Sequence, residues 1–180
     1  MKRRTKLELH PAAAVLLALL YFFDTLGIAA AALPAALVHE LGHYAALRLC
    51  GGRVAKIKVG VFGAEMEYEG LLHNAGAMIC SAAGPLAGTV YAVCACTVGG
   101  RFLRMSGTVS FLLSAFNLLP TLPLDGGRIT ETVLGAKAAR YISRAVSAAL
   151  LCIGAVLALK NASWAPLLMG AWLTVYNFAS

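Results

Sequence analysis

The sequence predicts an all-α integral membrane protein with about six transmembrane helices and a short β-hairpin at its cytoplasmic face. Of the 180 residues, 60% are hydrophobic and 13% are charged, whereas a typical soluble domain is about 45–50% apolar and about 25% charged. The charges cluster between long apolar runs, so the net charge of +7 fits membrane-flanking loops. This composition argues against an ordinary soluble enzyme, a disordered chain and a free nucleic-acid binder.

The runs without Asp, Glu, Lys or Arg set the predicted spans. A membrane helix needs about 20 residues with a rise of about 1.5 Å each. One helix over 9–50 would be about 63 Å long, twice the hydrocarbon thickness, so we divide this stretch at 24–27. The predicted spans are 9–23, 28–49, 72–98, 103–122, 141–159 and 163–179.

The basic residues predict the orientation of these spans. With the N-terminus inside, twelve of the 15 Lys and Arg residues fall on inside segments, and Arg101, Arg104 and Lys160 fall outside. Basic residues prefer cytoplasmic loops, so both termini are predicted to be cytoplasmic. The basic start also resembles a signal peptide, but the apolar character continues beyond the usual 7–15 residues. We therefore interpret residues 1–8 as a cytoplasmic anchor.

The stretch 53–69 is the one sizeable polar segment. Residues that favour strands lie on both sides of Gly63, which predicts a short hairpin at the cytoplasmic face. The five cysteines are odd in number, lie mostly within spans and form no CxxC pair, so we interpret them as small buried hydrophobic residues.

His39, Glu40 and His43 form an HExxH motif within an apolar helix. The i, i+4 spacing places both imidazoles on one helix face, where they can share a zinc ion at about 2.0–2.1 Å. Glu40 lies about 100° around the helix, within reach of a metal-bound water as general base. Ionisable groups are costly inside a membrane, so this cluster indicates function. The alternative is a helix end at the interface with snorkelling polar groups.

A third zinc ligand is expected, because catalytic zinc usually has three protein ligands and keeps one position for water. The candidates are Asp24, His73, Asp125 and His10, of which the two histidines fit interface residues better. Asp125 stands out because it follows Pro120 and Pro123 and precedes two glycines, a sequence that predicts irregular backbone. Within a membrane, such backbone must be buried in protein or line a water-filled cavity. Alternatively, 117–127 is a span exit in which Asp125 caps the next helix. A ligand role requires a bend at the prolines, since a straight helix would carry Asp125 about 30 Å, to the cytoplasmic boundary.

Together, HExxH and the NxxPxxxLDGG motif at 117–127 resemble the site-2 protease family of intramembrane zinc metalloproteases. Residues 7–11 and 61–63 look like the compact branch that contains stage IV sporulation protein FB. The resemblance covers most of 7–135, and two further spans follow in 141–180. It implies a single polytopic membrane protease domain over 1–180, without a PDZ or CBS domain.

The resemblance implies a metalloendopeptidase with one Zn²⁺ per chain. His39, His43 and Asp125 would be zinc ligands, Glu40 the general base, and Asn117 a substrate-binding residue. The substrate would be cleaved in or near a transmembrane segment, and a transcription-factor precursor or anti-sigma factor in regulated intramembrane proteolysis, as in sporulation, is the expected type. The resemblance also implies that the protein lies in the bacterial cytoplasmic membrane. Its expected partners are inhibitory membrane proteins, and it is not expected to bind nucleic acid.

Two rival functions use the same residues. Intramembrane acids and imidazoles also serve proton or metal transporters, which would show ion flux without proteolysis. An inactive protease homologue acting as a binding protein is the other alternative.

The sequence also departs from the family, because Gly84-Pro85 lacks the Asn of the family's GPxxN pattern. Ser81, Gly84 and Gly88 are therefore predicted to allow close helix packing.

Overall fold

The computed structural model describes residues 6–9, 24, 27–60, 63–69, 74–160 and 163–179. Within them lie three strands and six helices: β1 (Lys6–Leu9), α1 (Ile28–Leu49), β2 (Arg53–Gly60), β3 (Gly63–Glu69), α2 (Asn74–Val98), α3 (Arg101–Asn117), α4 (Asp125–Leu134), α5 (Ala136–Leu159) and α6 (Ala165–Ala179). The chain divides into two compact units, an N-terminal unit of residues 1–114 and a C-terminal unit of residues 115–180.

Helix α1 occupies the predicted range 28–49 and begins at an acidic cap. The Asp24 carboxylate accepts hydrogen bonds from the backbone N–H groups of Ile28 at 2.7 Å and Ala30 at 3.1 Å. These are among the amides that a helix leaves without partners in its first turn. Gly27 between them adopts a left-handed φ of 74°, which turns the chain into the helix. The Asp24 carboxylate therefore caps the N-terminus of α1.

The predicted hairpin at 53–69 is present as strands β2 and β3. They pair antiparallel, from Arg53 opposite Glu69 to Gly60 opposite Gly63. Strand β1 pairs parallel with β2, which gives the sheet order β1-β2-β3. Residues 1–8 were expected to be only an anchor. A four-residue strand that pairs with a distant segment has too short a pattern to be recognised locally.

Small residues bring the helices of the N-terminal unit into close contact. The Ser106 hydroxyl donates to the Ala31 carbonyl at 2.7 Å, and the Ser110 hydroxyl donates to the Gly88 carbonyl at 2.9 Å. A Cβ at Gly88 would lie 2.3 Å from Ser114 Oγ, so no side chain fits there. Close approach at small residues with hydroxyl-to-carbonyl bonds is typical of membrane helices. The packing role predicted for Gly88 is thus confirmed.

Helices α5 and α6 of the C-terminal unit also meet at glycines. A Cβ at Gly154 would lie 2.5 Å from Leu167 Cα, and one at Gly170 would lie 2.7 Å from Leu151 Cα. One glycine from each helix therefore allows backbone-to-backbone contact.

The predicted span 103–122 is too long, because helix α3 ends at Asn117. The chain then runs without helix until α4 begins at Asp125. Pro120 and Pro123 have no N–H to continue a helical ladder, which explains the break. This is the bend that a ligand role for Asp125 requires. Leu124 rather than Asp125 occupies the N-cap position of α4, so the capping alternative is not observed.

Two described helices, α2 and α5, are long and apolar enough to cross a membrane, and they coincide with the predicted spans 72–98 and 141–159. Helices α3 and α6 are shorter, at 17 and 15 residues. The predicted span 9–23 lies outside the described residues, apart from Leu9 in β1. Large apolar side chains on α2, such as Leu86 and Val90, are more than 60% exposed, which suits contact with lipid. The count of six spans stays a prediction.

We expect Ser106→Ala to lower the free energy of unfolding by about 1 kcal/mol, because it removes the bond to Ala31 and a 2.9 Å bond with the Tyr91 hydroxyl. The matched control is Thr108→Ala on the same helix, whose exposed hydroxyl bonds only its own helix, at Arg104. Denaturation in detergent micelles measures both variants. Equal losses would contradict the bridging role of Ser106.

Candidate functional site

The histidines of the HExxH motif lie side by side on α1. Their Nε2 atoms are 3.1 Å apart, and their ring centroids are 4.7 Å apart with planes at 80°. His39 is 4% exposed and His43 is half-buried. Glu40, between them in sequence, is half-buried. The predicted sharing of one helix face by the two imidazoles is present in the structure.

A hydrogen bond to α2 sets the orientation of the His43 ring. Its Nδ1 lies 2.7 Å from the backbone oxygen of Cys80. A carbonyl oxygen can only accept, so Nδ1 carries the hydrogen, and Nε2 of the neutral ring presents a lone pair. Metal-binding histidines are commonly held in this way by a carbonyl or carboxylate behind the ring.

Two glycines make room for this arrangement. A Cβ at Gly84 would lie 2.2 Å from His43 Nε2, so the imidazole rests directly against the backbone of α2. A Cβ at Gly42, inside the HExxH motif, would lie 2.5 Å from the Ala83 carbonyl oxygen. Gly84 was expected to serve helix packing, and its contact with the His43 ring was not foreseen. In the sequence, only the Gly84-Pro85 pair indicated that this part of α2 is unusual.

The histidine pair has the spacing of two ligands of one metal ion. Two donors at about 2.0–2.1 Å from a tetrahedral zinc ion lie about 3.3 Å from each other. The observed separation of 3.1 Å between the Nε2 atoms is close to this value. Neutral imidazoles are also preferred ligands of zinc. The donor set of the N-terminal unit therefore fits a zinc ion.

In the C-terminal unit, Asp125 is the first residue of α4 and is 8% exposed. A Cβ at Gly126 would lie 2.2 Å from the Leu118 carbonyl oxygen, and one at Gly127 would lie 2.4 Å from the Thr121 carbonyl carbon. The glycines of the LDGG sequence therefore allow the start of α4 to pack on the irregular backbone before it. This packing holds the backbone of Asp125 in place. Asn117 is half-buried at the end of α3.

Sequence reasoning missed two polar residues of the last helices. The sequence predicts only two further spans in 141–180, yet Ser143 accepts a hydrogen bond from the Leu122 N–H at 3.0 Å. The Asn177 side chain donates to the Leu122 carbonyl at 2.7 Å. A buried amide in an apolar helix was the signal that could have revealed this contact.

Known proteins are similar to this chain in part of its sequence or in its fold. Peptidase family M50 matches residues 100–160. A Mycobacterium tuberculosis protein that bears the name zinc metalloprotease Rip3 is 32% identical over 133 residues, which cover 65% of this chain and 33% of that protein. Zinc metalloprotease MJ0392 of Methanocaldococcus jannaschii is 30% identical over 109 residues, which cover 56% of this chain and 32% of that protein. The chain thus spans about a third of the length of these curated relatives.

The solved structure of a site-2 protease from Methanocaldococcus jannaschii has the same fold, with a TM-score of 0.71 at 21% identity, over 96% of this chain and 89% of that chain. The family match, the two relatives and the shared fold confirm the resemblance to the site-2 protease family of zinc metalloproteases. The matched residues 100–160 include the motif at 117–127. The resemblance to the sporulation branch stays a prediction.

We expect Gly84→Ala to weaken zinc binding about tenfold or more, because its methyl group would displace the His43 ring. Zinc affinity, measured by competition with a chelator in detergent, tests this expectation. Gly100→Ala is the control, since a Cβ there would meet nothing within 4 Å. Unchanged zinc affinity in Gly84→Ala would contradict the orienting role of this contact.

Proposed function

We propose that this chain is an intramembrane zinc metalloprotease that hydrolyses a peptide bond in or near a transmembrane segment of a membrane-associated protein. One observation carries the proposal: the Nε2 atoms of His39 and His43 lie 3.1 Å apart, and the Cys80 carbonyl holds the His43 ring so that Nε2 can bind a metal. The names of both curated relatives, which call them zinc metalloproteases, support the same function.

The proposed ligands of one zinc ion per chain are His39, His43 and Asp125. Support comes from side-chain chemistry, because His39 and His43 supply adjacent imidazole donors and Asp125, buried at the start of α4, supplies a carboxylate. Two imidazoles and a carboxylate are a known ligand set of catalytic zinc, and they leave a fourth position open for water or substrate.

Bound zinc would polarise the scissile carbonyl and lower the pKa of a water ligand to about 7. Glu40 is the proposed general base, since it lies on α1 between the two histidines. Its carboxylate takes a proton from the attacking water and returns it to the leaving amine. The Asn117 side-chain amide is proposed to position the substrate by hydrogen bonding to its backbone.

The substrate must be extended where it is cleaved, because the backbone hydrogen bonds of a helix shield its peptide groups. Strand β3 lies at the end of the sheet order β1-β2-β3 and can pair with an added strand. An unwound substrate segment could bind there by β-addition, through backbone hydrogen bonds. The sheet is thus a proposed recognition surface for the substrate backbone.

The finer cellular role is also a proposal. The expected substrates are a transcription-factor precursor or an anti-sigma factor in regulated intramembrane proteolysis. The proposed location is the bacterial cytoplasmic membrane with both termini inside, which rests on the distribution of basic residues. Inhibitory membrane proteins are the proposed regulatory partners.

Glu40→Gln should keep zinc and lower kcat by about 10²–10⁴-fold, because the amide cannot accept the proton of water. Elemental analysis measures zinc, and cleavage of a fluorogenic transmembrane peptide in detergent measures kcat. The control is Glu131→Gln on the exposed face of α4. A Glu40→Gln variant that cleaves at the wild-type rate would exclude Glu40 as the base.

Wild-type protein should carry about one zinc ion per chain, and His43→Ala and Asp125→Ala should each lose most of it, since each removes one of three ligands. Asp24→Asn is the control, because its side chain can still cap α1. Full zinc retention in Asp125→Ala would remove Asp125 from the ligand set. Wild-type protein without zinc would favour the transporter or binding-protein alternatives.

A further inference from the structure

The segment 118–124 of the C-terminal unit is irregular and partly buried, so its backbone groups need partners. Thr121 is 0% exposed. Two prolines in the segment cannot donate backbone hydrogen bonds. A buried peptide group without a partner would be costly, especially in a protein surrounded by lipid. The hydrogen-bond partners of the backbone N–H and carbonyl of Leu122 therefore show how this segment is held in place.

Ser143 of α5 binds the backbone N–H of Leu122. Its hydroxyl oxygen accepts from the Leu122 N–H at 3.0 Å, while the Thr121 hydroxyl donates to the Ser143 carbonyl at 3.3 Å. Ser143 itself is 0% exposed. Two hydrogen bonds thus join one turn of α5 to the segment.

Asn177 of α6 binds the carbonyl side. Its Nδ2 lies 2.7 Å from the Leu122 oxygen and 2.9 Å from the Leu173 oxygen. Both oxygens can only accept, so the amide orientation follows from the contacts: one hydrogen bonds its own helix and the other bonds the segment. The same nitrogen lies 3.3 Å from the Thr121 hydroxyl. Asn177 is 6% exposed, so the contact is shielded from solvent.

A further bond ties the two helices together at this level. Arg144, next to Ser143, donates from Nε to the Asn177 backbone carbonyl at 3.0 Å. Its guanidinium also lies 5.3 Å from the centre of the Phe178 ring, within the range of a cation–π contact. The groups that bind Leu122 are therefore themselves held in place.

The Thr121–Leu122 peptide in turn supports the start of α4. A Cβ at Gly127 would lie 2.5 Å from the Leu122 nitrogen, so the first turn of α4 rests on this peptide. The Leu124 N–H also bonds the Thr121 carbonyl at 3.0 Å. Asp125 stands between Leu124 and the two glycines, and its backbone follows the segment that Ser143 and Asn177 hold.

We infer that Ser143 and Asn177 are positioning residues, which hold the backbone N–H and carbonyl of Leu122 and thereby fix Asp125 where it can serve as a metal ligand. This inference rests on the proposed function. It assigns to α5 and α6 a part in the metal centre, although neither helix supplies a ligand. Supporting contacts of this kind commonly change metal affinity or activity about 10–100-fold when they are removed.

Ser147 offers a matched control for Ser143. It lies one turn further along α5 and is likewise 0% exposed. Its hydroxyl donates to the Arg144 carbonyl of its own helix at 3.1 Å and forms no hydrogen bond with the described segment 118–124. Replacing either serine by alanine removes one buried hydroxyl from the same helix, but only Ser143→Ala removes the partner of Leu122.

The test compares the full-length chain with its Ser143→Ala and Ser147→Ala variants in detergent. Zinc affinity comes from competition with a chelator, and thermal unfolding reports stability. We expect Ser143→Ala to bind zinc about tenfold or more weakly, and to lower kcat with KM little changed, while Ser147→Ala stays within about twofold of wild type. If Ser143→Ala fails to fold, Asn177→Asp, which keeps the shape but removes the amide donors, should show the same loss.

Two outcomes would overturn the inference and can be told apart. Zinc-binding wild-type protein with equal affinities in the two serine variants would exclude the positioning role and leave the proposed function standing. Wild-type protein that binds no zinc would overturn the proposed function, and the positioning role with it.

Discussion

The hydrogen bond from His43 Nδ1 to the Cys80 carbonyl is the contact on which the candidate centre depends. It places the hydrogen on Nδ1, so the neutral ring presents the lone pair of Nε2 on the side of His39. The bond forms only because α1 and α2 approach at Gly42 and Gly84, where a Cβ would collide with the facing helix. The close packing of α1 on α2 and the orientation of the His43 ring therefore depend on the same glycines. A single added methyl group could disturb both.

A second constraint acts in the C-terminal unit, where irregular backbone must be satisfied inside a largely apolar bundle. The chain is irregular between the end of α3 and Asp125, and Ser143 and Asn177 bind the backbone N–H and carbonyl of Leu122 within this segment. The cost of a buried unpaired amide explains why the polar side chains Ser143 and Asn177 stand within apolar helices. The hydrogen bonds that remove the cost of unpaired backbone groups in the irregular segment also fix its position.

Much of the fold could be predicted from local pattern. The range 28–49 of α1, the hairpin at 53–69 and the break at the two prolines all follow from charge spacing, strand-forming residues and the missing proline N–H. The predicted helix over 103–122 was wrong in its end, because apolar character alone cannot distinguish a helix from buried irregular backbone. Strand β1 escaped prediction because its partner is remote in sequence.

The sequence by itself determined the chemistry of the candidate site. HExxH at 39–43 places two imidazoles on one helix face, and the prolines and glycines around Asp125 mark an irregular segment, because backbone periodicity and proline geometry are local properties. Tertiary structure alone decided how these groups are held. Residues of other helices hold these groups. The Cys80 carbonyl and the backbone at Gly84 contact the His43 ring, and Ser143 and Asn177 bind the segment before Asp125. Contacts between remote segments depend on helix packing, which no local spacing encodes.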